Sequence, residues 1–128
     1  MEKTLYGSMN AQNLEELIAI FYPKVLKDPT IGPFFIEKLG NNIESPTWKK
    51  HLVDILEFWK MSALGYDDYE GNPLAPHFNI NGINKEAFSI WLKLFDESID
   101  EVYEPFAGDY LKEKSKNIAE NFMKKLEL

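Results

Sequence analysis

TWKKHLVDILEFWKMSAL, from Thr47 to Leu64, reads as one long helix, and the rest of the chain takes its place around it. Ser45 can cap the N-terminus, Pro46 suits the first helical position, and Gly65 can end the helix in a left-handed turn. Trp48, Leu52, Ile55 and Trp59 recur at helical spacing, with His51, Ile55 and Phe58 on an adjoining line. His51 therefore lies at the edge of a broad apolar face. Beyond Gly65 the turn-rich segment YDDYEGNP leads to Leu74-Ala75-Pro76-His77-Phe78, which holds the second and last histidine. A histidine in such a setting is more often a boundary residue than a ligand. Two of them, one on a long helix and one past a loop, could instead face each other across a cavity.

The chain of 128 residues is the size of one domain, 1–128, with a core of its own. Residues 1–10 read as a loosely ordered N-terminal extension. Aromatic residues make up 14% of the chain, which suits either a dense core or the lining of a pocket for a flat aromatic ligand. A net charge of −7 argues against nucleic acid or an anionic membrane as partner, because neutralising phosphates takes clustered cations. All 14 basic residues are lysines, so no bidentate guanidinium fork exists for phosphate or carboxylate. With no cysteine, disulfides, zinc ribbons and iron–sulfur clusters are excluded. The longest apolar run, Leu17 to Tyr22, is too short to span a bilayer, and the first residues lack an apolar targeting core. A cytoplasmic protein is expected.

Along the chain, Asn13 to Leu26 carries Leu14, Leu17, Ile18, Phe21, Tyr22 and Val25 on one helical face, with Pro23 expected to kink it just after Tyr22. Asp28-Pro29 and Gly32-Pro33 break the chain before a short helical turn at Phe34-Phe35-Ile36. Asn84 is positioned to cap a helix whose apolar line is Phe88, Trp91, Phe95, Ile99 and Val102, and Pro105 and Gly108 read as its end. A last helix is expected from Asp109 to Leu126. No segment alternates with period two, so the expectation is an all-α fold of five or six helices.

Several chemistries fall away. Neither histidine follows a glutamate at the spacing of a di-iron bundle. The acidic loop beginning at Asp68 has Pro73 where a calcium loop needs glycine. Gly-rich phosphate cradles and Gly-x-Ser-x-Gly elbows are lacking. A zinc site from His51 and Asp54 has no further support.

Phe21-Tyr22, Asp28-Pro29, Gly32-Pro33-Phe34-Phe35, Trp48-x-x-His51, Phe58-Trp59, Leu64-Gly65, Tyr69-x-Gly71-x-Pro73-Leu74-x-x-His77 and Phe88-x-x-Trp91-Leu92-x-x-Phe95 occur in one order. The set resembles a group III truncated haemoglobin, from about Leu14 to Phe122. This resemblance implies a shortened globin, its helices stacked two over two around haem b. It makes His77 the proximal iron ligand, and Tyr22, Trp91 and His51 the distal side chains. Phe35 then packs on the porphyrin and Ile55 lies over the iron. Beside these, Met123, Phe58, Trp59, Phe88 and Phe95 could touch the porphyrin or only pack on each other, and Lys49 or Lys50 could neutralise a propionate or stand as a solvated surface lysine.

The residue chemistry is compatible with these roles. A neutral imidazole in an apolar wall suits haem iron. Tyrosine and tryptophan tips on an apolar face either reach the surface or serve as buried hydrogen-bond donors. Donors of that kind favour dioxygen, which becomes partly anionic when held, over neutral carbon monoxide. His51 can donate to the gas, gate the pocket or line its entrance. The implied partners are dioxygen, carbon monoxide and nitric oxide, with an unidentified reductase if the protein, taken as a monomer, performs nitric-oxide dioxygenation or peroxide chemistry. The competing reading is a haem-free helical module that binds a partner protein or an apolar ligand.

Overall fold

A computed structural model describes residues 5–66 and 82–128 of the chain. Helix α1, Ala11–Lys27, starts earlier than the expected Asn13, because Asn10 is the cap and Asn13 its reciprocal partner. The Asn10 side chain accepts from the Asn13 N–H at 2.9 Å, and the Asn13 side chain accepts from the Asn10 N–H at 2.9 Å, which satisfies two donors that a helix start leaves open. The helix runs on through Pro23 to Lys27. The N–H that proline lacks would have bonded the carbonyl of Ala19, which stands on the solvent face, so water can replace it. Lys24, just beyond, pairs with Glu101.

At the end of α1 the Asp28 carboxylate accepts from the N–H groups of Thr30 and Ile31, at 2.8 and 2.9 Å. This turns the chain into α2, Gly32–Leu39, a true helix where a single turn is expected from sequence. Gly32 is required there, since a Cβ would lie 2.9 Å from the Leu26 carbonyl oxygen. Helix α3, Pro46–Leu64, has the expected bounds: the Ser45 hydroxyl accepts from the Trp48 N–H, and Gly65 closes the helix at φ 78. The segment expected to hold His77 and Phe78 lies outside the described residues.

Helix α4, Lys85–Val102, opens on Asn84, whose side chain accepts from the Ala87 N–H at 2.8 Å. Helix α5, Pro105–Lys125, corrects the reading of Pro105 and Gly108 as breakers. Pro105 stands in the first turn, where its missing N–H costs nothing, and Gly108 is buried against α4. A Cβ on Gly108 would meet the Ile99 Cγ2 at 2.8 Å. Ile99 is fully buried and its β-branched side chain cannot swing aside. Gly108→Ala should therefore cost about 1–2 kcal/mol, overpacking outweighing the better helix propensity of alanine. Urea unfolding reads this directly, and a stabilised variant would disprove the close approach.

Where a loose extension over residues 1–10 is expected, the chain from Tyr6 onward is tied down. The Tyr6 N–H donates to the Val102 carbonyl and the Glu104 N–H donates to the Tyr6 carbonyl, both at 2.9 Å. Among the described residues this isolated bridge is the nearest approach to sheet. Asn13 extends the tie: its amide donates to the Ser8 carbonyl at 2.9 Å, and its oxygen accepts from the buried Tyr103 hydroxyl at 2.6 Å.

Helix α1 packs on α2, α3 and α4, and α4 on α5. The centre of the core is Leu14, Leu17, Phe21 and Val25 of α1 against Phe95, Ile99 and Val102 of α4, with Leu111 from α5. Each such side chain contributes about 1.5–3 kcal/mol on burial, and together they hold α1 and α4 as the fixed frame against which α2 and α3 rest. None of the described helices is long and apolar enough to cross a membrane.

Candidate functional site

Tyr22 is buried in the second half of α1, among rings delivered by two other helices. Its ring meets His51 of α3 at 5.2 Å between centroids and 86° between planes, Trp48 of α3 at 5.6 Å and 64°, and Phe35 of α2 at 6.0 Å and 69°. These are edge-to-face contacts, the arrangement that the ring quadrupole favours. Trp48 and His51, one turn apart on α3, stand at 5.4 Å and 89°. Burial pushes the Tyr22 hydroxyl well above the ordinary phenol range, so it remains a protonated donor at any physiological pH. Tyr22, His51 and Phe35, three residues singled out by the sequence, are thus brought together.

Trp91 of α4 joins from the other side of Phe21. Its ring meets Phe21 at 5.1 Å and 80° and stacks on Phe95 at 4.8 Å and 26°. Phe21 in turn touches Tyr22 at 4.9 Å, so a single ring separates the two expected distal donors. Phe95 also stacks on Trp59 at 5.2 Å and 25°, and Phe58 packs edge-on against Trp59 at 5.3 Å. Phe58, Trp59 and Phe88 are buried, while Ile55, one turn after His51, is half-buried against the core. Lys49 is exposed on the first turn of α3; its neighbour Lys50 is paired with Asp54 at 3.2 Å. His77 lies outside the described residues, and among those described no cluster of three or more His, Asp or Glu could hold a metal ion.

Helix α3 buries only Trp48, Phe58 and Trp59 and leaves Leu52, Ile55, Leu56, Met61 and Leu64 half-covered. Phe34 and Phe35 of α2 and Ile90, Trp91 and Leu94 of α4 are half-covered as well. Large apolar residues in a well-folded core are normally buried outright. Of these partly buried residues, Phe35 lies against both the buried Tyr22 ring and His51, and Ile55 is one helical turn from His51, so apolar side chains adjoin the phenol and the imidazole.

Residue type and periodicity alone gave no site role to Trp48 or Phe21. Trp48 had a signal, its three-residue spacing from His51, which puts both on one face of α3. Phe21 had none, because its part is to join two helices.

No family model matches the chain. The group 3 truncated hemoglobin ctb of Campylobacter jejuni is 36% identical to it over 121 residues, 94% of each chain. The crystal structure of group III truncated hemoglobin from Campylobacter jejuni superposes with a TM-score of 0.89 at 36% identity, covering 96% of this chain and 95% of that one. The five described helices have the truncated-globin fold, and by its identity to a relative matched along nearly its whole length the chain belongs to the group III truncated haemoglobins.

Proposed function

We propose that this chain binds haem b against apolar side chains of α2, α3 and α4, and holds dioxygen and other diatomic gases beside Tyr22. The observation that carries this reading is the buried Tyr22 side chain, its hydroxyl kept protonated by its surroundings and its ring set edge-on to His51 and Phe35. Haem supplies a ferrous iron to which dioxygen, carbon monoxide or nitric oxide binds reversibly. In this reading His77 gives the imidazole on the proximal side. Phe35, Ile55, Phe58, Trp59 and Phe88 offer the apolar contacts that exclude water from the ring, and Lys49 neutralises a propionate.

Tyr22 and Trp91 donate protons in hydrogen bonds to a ligand that gains negative charge on binding, and His51 assists or controls entry. Several donors around one gas molecule slow its release. That favours chemistry on the gas, such as nitric-oxide dioxygenation or peroxide handling with electrons from a reductase, over simple carriage. A monomeric, cytoplasmic protein fits this role.

Absorption spectra of the purified protein test the reading. An intense Soret band is expected, shifting on reduction with dithionite and again with carbon monoxide, and His77→Ala should abolish the normal ferrous spectrum. An unchanged spectrum in that variant would remove His77 as ligand. No Soret band after addition of hemin would leave the fold standing and the function refuted.

A further inference from the structure

We infer that Trp48 is the positioning residue of the distal pocket: its buried, tethered indole fixes the ring planes of Tyr22 and His51 relative to each other and so sets how tightly dioxygen is held. The inference rests on the functional reading above and goes beyond it, since Trp48 is not among the residues that touch the gas. Its side chain is completely buried. The indole N–H donates to the Gly40 carbonyl at 2.7 Å, and Gly40 lies in the link between α2 and α3 at φ 83. That bond blocks the flip of the indole, because a rotated ring would leave a buried donor unmade.

The fixed ring then serves three helices at once. One face lies nearly parallel to Phe35 of α2, at 6.3 Å and 20°. Tyr22 of α1 and His51 of α3 meet it at 64° and 89°. Ring planes matter here because a phenolic O–H prefers to lie in the plane of its ring, and both imidazole nitrogens direct their protons or lone pairs in plane. A partner that holds the Tyr22 and His51 planes near right angles to each other, as they stand at 86°, thereby aims both polar groups. A residue that merely filled space would need neither the tether nor contact with all three rings.

The test is Trp48→Phe in the haem-loaded protein, which keeps an aromatic ring and removes the tether. Dioxygen release should speed up about tenfold, the effect of misaiming roughly one hydrogen bond, while carbon monoxide release changes less than about twofold. On a Tyr22→Phe background the same substitution should have a clearly smaller effect on dioxygen release, because one of the two groups it positions is gone and only His51 is left to misaim. Equal acceleration of both gases, or the same effect on either background, would make Trp48 a core filler and overturn the inference. So would unchanged dioxygen release in a variant whose Soret band is intact while Tyr22→Phe responds. A wild-type protein that takes up no haem would instead bring down the functional reading beneath it. Should Trp48→Phe fail to fold, hydrogen exchange of the Trp48 indole N–H in the wild type decides: strong protection is expected, and exchange at the rate of an exposed indole would refute the tether.

Discussion

Tyr22→Phe should accelerate dioxygen release from the haem-loaded protein by about 10- to 100-fold while leaving carbon monoxide release nearly unchanged. The lost interaction is a hydrogen bond to a ligand that carries partial charge, worth about 1.5–3 kcal/mol, and each 1.4 kcal/mol is tenfold in a rate of escape. The ring itself stays, so its edge-to-face contacts with Phe21, Phe35, Trp48 and His51 survive and the fold is not at issue. Carbon monoxide, which gains little charge, is the internal control: equal acceleration of both gases would mean a change of pocket shape. Stopped-flow displacement measures both rates.

The pH dependence has a definite sign. Burial raises the Tyr22 pKa because it penalises the phenolate. The donor proton is thus retained throughout the neutral and mildly alkaline range, and dioxygen release should be flat with pH until the ordinary phenol range is passed. A rise in the off-rate of the wild type below about pH 9, absent from Tyr22→Phe, would mean that the hydroxyl ionises early and that its surroundings are wetter than the geometry implies.

The largest loss of stability is expected from Asn13→Leu, about 3 kcal/mol, out of a total for a domain of this kind of about 5–15 kcal/mol. Leucine matches asparagine in volume but makes none of its hydrogen bonds. The variant would strand the Tyr103 hydroxyl, which is buried, together with the Ser8 carbonyl and the Asn10 N–H. A midpoint of thermal unfolding lowered by about 10 °C is the corresponding readout. Tyr103→Phe removes a single bond and should cost about 1 kcal/mol. Combined with Asn13→Leu it should cost less than the sum, because the stranded hydroxyl is then absent. Strict additivity, or a loss for Asn13→Leu below about 1 kcal/mol, would show that water satisfies these groups and that the network is not closed.

The accuracy of the sequence reading followed the range of the interactions involved. Helix α3 was legible to the residue because Ser45, Pro46 and Gly65 act on their immediate neighbours. So was the start of α4 at Asn84. The start of α5 was not, since Pro105 and Gly108 together look like a break to any local rule, and what decides the matter is the approach of Gly108 to Ile99 on another helix. The tie of Tyr6 to Val102 and Glu104 is equally distant in sequence and left no local mark.

The same holds for the candidate site. Tyr22 and His51 carry polar groups on apolar faces, which draws notice from residue type alone. Trp48 looks like any core residue until its neighbours are known, because its importance comes from meeting α1, α2 and the α2–α3 link at once. The ordered motif set reached further than periodicity, as it records which distant residues occur together.

The chain's three tryptophans belong to one path of touching rings, Trp48–Tyr22–Phe21–Trp91–Phe95–Trp59. Light absorbed by any of them is therefore absorbed in one place, and their emission reports on the junction of α1, α3 and α4 while saying nothing of the far end of α5. Melting followed by fluorescence and by circular dichroism would separate if α5 frayed first, the ellipticity falling while the emission stayed constant. An acceptor bound beside this path of rings would drain all three emitters together, so that a single titration of light output would count occupied molecules.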